Sequence, residues 1–347
     1  MEDAMYMQRC LQLAKIGAGS VSPNPMVGSV IVCEGRIIGE GYHKKAGKAH
    51  AEVEAIESVR SEERHLLSKS TLYVNLEPCS HYGRTPPCSG RIIEEGIPRV
   101  VIAALDPNEK VSGGGAAMLR NAGVEVITGV LKEEALYLNR RFYTFHQKKR
   151  PHIVLKWAES SDGFIAGSEG RRKISNALSD RLVHRWRMEE DAILIGRKTA
   201  QIDNPKLNNR LYYGKSPVRM LIDPKNRLPS NLLLFTDDDN LVIINEIKSL
   251  KELRKEWVKT KLADGLMSAL KELALRKNLL SIFVEGGAYT LNYFLENGYY
   301  DELRIIRNKN LLLGQGVRAP VWAVLGLQWN AHFFVGDDEI MILEHAG

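Results

Sequence analysis

The sequence predicts two successive α/β domains, and three observations carry that expectation. Between residues 3 and 314, short β-branched runs alternate with short amphipathic helical stretches, the pattern of a layered sheet with helical connections. The 347 residues exceed what one ordinary core organises, since a domain takes about 150. The polar, basic "QKKRP" at 147–151 breaks the alternation, and a proline after a charge run stops a helix. Domains are therefore expected at 1–147 and 148–347, and no internal repeat links them.

The elements follow in order. Residues 3–17 carry Met7, Leu11 and Ala14 at helical spacing, and "GAGSVSPNP" ends that pattern. "VGSVIVCEGRIIGEGYH" holds two β-branched runs joined by "EGR", which predicts a hairpin. Helix "AEVEAIESVR", strand "STLYVNLE", helix "CSGRIIEEG", strand "RVVIAAL", helix "GGAAMLRNAG", strand "VEVITGV" and helix "KEEALYLNRRFYTFHQ" complete the first half. In the second half strands are expected at "HIVLKWAESSDG", "AILIGRKT", "VRMLIDP", "LVIINE", "SIFVEGG" and "DELRIIRNKNLLLG". Helices are expected at "SDRLVHRWRMEE", "SLKELRKEWVKTK", "MSALKELALRKN" and "AYTLNYFLENG".

Composition narrows the class. Residues are 44% hydrophobic and 26% charged, and no apolar run reaches the roughly 18 residues of a membrane span. The N-terminus is acidic and amphipathic rather than a leader of secretory type, so a cytoplasmic protein without membrane contact is expected. The net charge of +6 would admit a nucleic-acid partner, but the basic residues are dispersed and aromatics are only 7%. The expected partners are small phosphorylated molecules, with no nucleic acid. Self-association into a homo-oligomer is also expected.

The stretch "LEPCSHYGRTPPC" sets Cys79 and Cys88 with eight residues between them. They read as a disulfide, two buried thiols or half of a metal site. Four cysteines in a reducing compartment are too few for a disulfide scaffold. His50, opening a helix, adds an imidazole, and one imidazole with two thiolates suits Zn2+ with a fourth position left for water. Glu52, two residues on, is placed to carry protons as the catalytic residue. His-x-Glu followed by Pro-Cys and a second Cys is the general signature of zinc deaminases, which space their cysteines C-x-x-C where this chain has the longer gap. Cys10 and Cys33 lie in apolar periodic segments and read as core.

With "PNPMVGSVIV", "GYH", "HAE" and "EPCSHYGRTPPC" in this order, residues 23–88 resemble the bifunctional riboflavin-biosynthesis deaminase/reductase family. The resemblance extends through "KWAESSDGFIAG", "ILIGRKTAQIDNPKLNNR", "FVEGG" and "DELRIIRNKNLLLG". It implies a cytidine-deaminase-like three-layer domain followed by a dihydrofolate-reductase-like α/β domain. It implies deamination of a 2,5-diamino-6-(5-phosphoribosylamino)pyrimidinone, then reduction of its ribosyl group to ribityl by NADPH. Asn24 and His43 are implied to hold the pyrimidine. His81 and Arg84 lie in the inter-cysteine loop, where Arg84 offers a bidentate fork to a phosphate.

No G-x-G-x-x-G follows a strand, so a Rossmann site is unsupported, yet "FVEGG" runs from a strand straight into a helix whose N-terminus favours a phosphate. The resemblance implies cofactor contacts at Ala158, Thr199, Asp203, Gly286 and Gly287. It implies substrate contacts at Arg187, Leu207, Arg210 and Glu285. One departure stands out: where the family usually has a serine and, two residues on, a tryptophan, this chain has Arg171-Arg172-Lys173. Three other readings remain open: a deaminase with a non-reducing second half, a nucleic-acid-editing deaminase, and a structural zinc module.

Overall fold

In the computed structural model, which describes residues 2–345 except 81–85, 108–112, 169–171, 237–238, 263–264 and 324, the chain divides into two units, Met1–Lys149 and Arg150–Gly347. In the first, helix α1 (Glu2–Ile16) starts on Glu2 and Asp3 and ends on Lys15, charges that match the helix dipole. Its buried stripe includes Met7, Cys10, Leu11 and Ala14. Full burial of a Leu or Met side chain stabilises by about 1.5–3 kcal/mol.

The expected hairpin is β1 (Gly28–Cys33) and β2 (Arg36–Tyr42). It is followed by α2 (Ala51–Glu57), a 3-10 segment (Ser61–Lys69), β3 (Thr71–Leu76), α3 (Cys88–Glu94), β4 (Arg99–Ala104), α4 (Gly114–Asn121) and β5 (Glu125–Thr128). The strands form one sheet in the order β2-β1-β3-β4-β5, antiparallel at β2-β1-β3 and parallel from β3 to β5. Every residue of β1 is buried, because helices cover both faces of the sheet. On one face Gly28 lies against α1, where a Cβ would come within 2.1 Å of the Cys10 carbonyl oxygen. On the other, Ile31 packs with Ile56, Leu72, Ile92 and Leu119. The result is the three-layer arrangement expected from the sequence.

The stretch expected as one helix at 132–147 is two, α5 (Lys132–Leu138) and α6 (Arg140–Lys148). Asn139 at the break has a task that an unbroken helix would not allow. Its side chain accepts from the Met26 N–H at 2.8 Å and donates to the Met26 carbonyl at 2.9 Å.

The second unit holds β6 (His152–Ser160), β7 (Phe164–Gly167), α7 (Ala177–Glu189), β8 (Ala192–Gly196), α8 (Arg197–Asp203), β9 (Val218–Ile222), α9 (Leu233–Thr236) and β10 (Leu241–Asn245). After these come β11 (Leu250–Lys251), β12 (Lys255–Lys259), α10 (Leu266–Lys277), β13 (Ser281–Val284), α11 (Ala288–Glu296), β14 (Glu302–Asn308), β15 (Gly316–Arg318), β16 (Gln328–Val335) and β17 (Asp338–Glu344). Ten strands form one sheet in the order β11-β12-β10-β9-β8-β13-β6-β14-β17-β16, parallel from β12 through β14, while β15 and β7 pair separately. Its inner strands β8, β10 and β13 are largely apolar and buried along almost their whole length, as covering on both faces requires. Ile193, Ile195, Leu221, Ile243, Phe283 and Ile306 meet Trp186 of α7 in the core.

Two expectations fail here. Residues 249–261 are the short strands β11 and β12 instead of a helix, and β12 pairs in parallel with β10 from Leu241↔Lys255 to Asn245↔Lys259. Leu250, Leu253 and Trp257 mimic helical spacing, yet Leu253 sits 95% exposed between the two strands while Trp257 packs on the core. The strand expected at 192–199 stops at Gly196, where α8 begins.

Candidate active sites

In the first unit, the sheet brings three ligand-bearing segments to one point. His50 is the N-cap of α2, Cys79 follows β3, and Cys88 opens α3. His50 Nδ1 lies 3.2 Å from Cys88 Sγ and 3.6 Å from Cys79 Sγ, and all three ligand atoms fall within 4.8 Å of one another. Zinc–sulfur and zinc–nitrogen bonds of 2.3 and 2.0–2.1 Å at a tetrahedral angle separate N from S by about 3.6 Å. The donor set therefore fits zinc in both chemistry and spacing. The Cys79 turn is held by its own neighbours: Ser89 Oγ donates to the Cys79 carbonyl at 2.6 Å, and the Cys88 N–H donates to Cys79 Sγ at 3.3 Å.

The electrostatics agree. The Cys79 thiol is drawn down to about 4, first by the hydrogen bond from the Cys88 thiol and, against the cost of burial, by His50. Cys88 shifts the opposite way, because the pair shares one proton. A divalent cation between them removes that second proton as well. Glu52, 3% exposed, lies in the first turn of α2, and burial pushes its carboxyl up to about 7, suited to exchanging a proton at neutral pH.

Asn24 and His43 meet beside these ligands. The Ala49 carbonyl can only accept, so His43 Nδ1 carries the proton, donating at 2.9 Å; Nε2 then accepts from Asn24 Nδ2 at 3.0 Å. Burial lowers the His43 pKa and keeps this neutral tautomer. The His43 ring stands edge-on to His50, 5.6 Å between centroids. The Asn24 loop is clamped two residues later at Met26 by Asn139 and by Asn75, whose Nδ2 donates to the Met26 carbonyl at 3.0 Å.

Sequence reasoning missed Glu77. Its buried carboxylate accepts from the N–H groups of Asp106, Gly113 and Ala116 at 3.1, 2.9 and 3.0 Å, tying the start of the cysteine loop to the first turn of α4. A glutamate directly before Pro-Cys, at the end of an apolar strand, was the available signal. His81 and Arg84 lie outside the described residues.

In the second unit the site forms where parallel strands end. Gly286 and Gly287 follow β13, and Gly287 N–H donates to Thr199 Oγ1 of α8 at 2.8 Å. A Cβ at Gly286 would approach the Thr290 Cβ to 2.7 Å, so the turn into α11 demands glycine. Neither α8 nor α11 has a side-chain cap at its N-terminus. Ala158 lies near the carboxyl end of β6 and Asp203 at the end of α8.

A cavity of about 440 Å³ is lined by Lys156, Lys173, Ser175, Asp180, His184, Arg187 and Arg210, among others. Arg187 Nε and Nη2 donate to the two Glu285 carboxylate oxygens at 2.7 and 2.9 Å, and Arg187 Nη1 donates to the Asn208 carbonyl at 3.2 Å. The Arg187 fork, an implied substrate contact, is thus engaged by a carboxylate. Burial would raise the Glu285 carboxyl, but Arg187 and Lys156 outweigh it and hold it down at about 2. Leu207, buried and at φ 56°, precedes Asn208 on the same loop.

Lys156 and His184 escaped the sequence reading. Lys156 interrupts the apolar run of β6, which was the signal, and burial lowers its pKa against the pull of Glu285, 3.9 Å away. His184 Nδ1 accepts from the Arg210 N–H at 3.1 Å. Of the departing triplet, Arg171 lies outside the described residues, Arg172 is exposed, and Lys173 lines the cavity.

Comparison with known proteins identifies both units. Residues 1–104 match the cytidine and deoxycytidylate deaminase zinc-binding region, and residues 151–322 match the RibD C-terminal domain. The riboflavin biosynthesis protein RibD of Aquifex aeolicus (strain VF5) is 41% identical over 325 residues, 91% of this chain and 89% of that one. That of Escherichia coli (strain K12) is 35% identical over 92% of this chain and 90% of its own. Among solved structures, the diaminohydroxyphosphoribosylaminopyrimidine deaminase/5-amino-6-(5-phosphoribosylamino)uracil reductase of Thermotoga maritima superposes with a TM-score of 0.90 at 36% identity, covering 99% of this chain and 98% of that one. Acinetobacter baumannii RibD superposes at 0.89 and 30% identity, with the same coverage. With a zinc deaminase region and a reductase domain of this kind in one chain, the protein belongs to the bifunctional riboflavin-biosynthesis family, whose members pair zinc-dependent deamination with NADPH-dependent reduction.

Proposed function

We propose that the first unit deaminates 2,5-diamino-6-(5-phosphoribosylamino)pyrimidin-4(3H)-one and that the second reduces the ribosyl group of the product to ribityl. The observation that carries the first half is the convergence of His50, Cys79 and Cys88 beside buried Glu52. Zinc supplies a Lewis acid that brings the pKa of a bound water to about 7. Glu52 takes the proton of the attacking water and returns it through the ring nitrogen to the departing amine, so that ammonia leaves as the C–N bond breaks and the C–O bond forms. Asn24 and His43, fixed in one tautomeric arrangement, hold the pyrimidine edge. His81 and Arg84, outside the described residues, are assigned to the substrate's phosphoribosyl end by the family resemblance alone.

In the second unit Gly286, Gly287 and Thr199 carry the cofactor phosphates, with Ala158 and Asp203 flanking the dinucleotide. NADPH supplies the hydride. Arg210 and Leu207 border the substrate, Arg187 fixes Glu285, and the Glu285 carboxylate faces the sugar. Incubation with the diaminopyrimidine phosphate, with and without NADPH, tests the whole reading. Ammonia release in both mixtures and cofactor oxidation only after deamination are expected; ammonia without any cofactor oxidation would refute the second half.

Self-association is part of this reading. β16 is the outer strand of its sheet, eight residues without Lys, Arg, Asp or Glu, and Trp329 and Phe334 are 56% and 59% exposed. Soluble proteins blunt such edges with charge, so an unguarded one suits pairing with β16 of a second copy across a two-fold axis. No helix among the described residues is long and apolar enough to cross a membrane. Four free cysteines suit a reducing cytoplasm.

A further inference from the structure

Lys173 stands where the family usually has a tryptophan, and its surroundings give the change a purpose. We propose that Lys173 is a phosphate-binding residue of the reductase cavity, held ready by Asp180 and released to an entering phosphate. This rests on the reductase reading of the second unit.

The segment after Lys173 is built in place. Asn308 Nδ2 donates to the Ile174 carbonyl at 2.8 Å, the Asn176 N–H donates to Asp338 at 2.8 Å, and Asn176 Nδ2 donates to the Val335 carbonyl at 2.6 Å. The side chain of Lys173 therefore extends from a pinned backbone into the cavity lining. Its Nζ lies 2.6 Å from Asp180 Oδ2, and the other Asp180 oxygen accepts from Ser175 Oγ at 3.0 Å.

Charge bookkeeping within the cavity favours the exchange. Glu285 engages Arg187 through both oxygens and lies 3.9 Å from Lys156, so those two cations already share a carboxylate. Arg210 and Lys173 remain for an incoming dianion. Lys173 is 62% exposed in its pair with Asp180, and a pair that open to water is weak. A phosphate oxygen offers the ammonium a charge-assisted bond from a group of higher charge than one carboxylate. Asp180 then keeps its bond from Ser175 and faces solvent, so nothing is left buried and unpaired.

Two phosphates fit this chemistry, the ester of the substrate and the 2′-phosphate of NADPH, and a binding experiment separates them. Full-length wild type, Lys173→Met, Lys173→Arg and Asp180→Asn are titrated calorimetrically with ribose 5-phosphate, ribose, NADP+ and NAD+. If the substrate ester is the ligand, Lys173→Met weakens ribose 5-phosphate by about three- to tenfold and leaves ribose unchanged. Lys173→Arg restores binding and Asp180→Asn tightens it. If the cofactor is the source, the same pattern appears for NADP+ against NAD+. Unchanged affinities for both phosphorylated ligands in Lys173→Met would overturn the proposal. Oxidation of NADPH by wild type on the deaminated substrate tests the underlying reductase reading separately.

Discussion

A buried carboxyl at about 7 beside three side chains suited to zinc is the candidate proton carrier, so Glu52→Gln separates chemistry from architecture. The amide keeps shape and volume but cannot shuttle a proton. Deamination should fall by about 10²–10⁴-fold with zinc content unchanged, measured by ammonia release and metal analysis; loss of zinc together with activity would make Glu52 a structural residue. His184 behaves differently. Burial first, and then Arg187 and Arg210, hold its folded pKa at about 4, below the ordinary 6.5. Between those values the unfolded chain binds a proton that the folded chain refuses, so stability falls as pH drops from about 6.5 toward 4 and is unaffected above that window. Denaturant midpoints at pH 7.5 and 5 should differ less in His184→Gln than in wild type. An equal difference would place the titration elsewhere.

The elements carry the next consequences. Glu77 joins the end of β3 to the start of α4 through two N–H groups and to the segment after β4 through a third, and Glu77→Gln turns part of that acceptor into a donor facing donors. Leaving a buried group unsatisfied costs about 1–3 kcal/mol. The calorimetric transition of the first unit should shift down and its zinc content fall, while the second unit's transition stays. At the outer sheet edge, Phe334→Lys places a charge on β16, and sedimentation should show a smaller species than wild type if copies pair there; an unchanged species would rule out that edge. The apolar pattern made β1 to β6, β8 to β10, β13 and β14 legible in the sequence, because burial dictates period in both units, whereas β7, β15, β16 and β17 were not expected. It misread residues 249–261, where Leu250 and Leu253 keep helical spacing for no buried face and the parallel pairing of β12 with β10 decides the outcome. The candidate ligands His50, Cys79 and Cys88, which the structure brings together, were legible because metal chemistry restricts residue type. Glu77, Lys156 and His184 were not singled out, since their roles arise from partners 29, 129 and 26 residues away in sequence.

At the scale of the whole molecule, two complete cores with separate chemistry predict separable failure. The first unit is organised around Ile31, Ile56, Leu72 and Ile102, the second around Trp186, Ile193, Phe283 and Ile306, and each unit carries its own binding residues. Among the described residues, the group able to hold a metal lies in the first unit: His50 at the N-cap of α2, Cys79 after β3 and Cys88 at the start of α3. In the cavity of the second unit Glu285 and Arg187 engage one another. Removing zinc with a chelator should therefore abolish ammonia release while leaving NADPH oxidation on the deaminated substrate within about twofold. Metal replacement should then restore deamination. The control runs the opposite way: Glu285→Gln should cripple reduction and leave ammonia release at the wild-type rate. If chelation lowered both activities in parallel, the two units would share one folding transition and the chain would be a single cooperative machine. If only ammonia release responds, the fusion links two catalysts that each fold and work on their own terms.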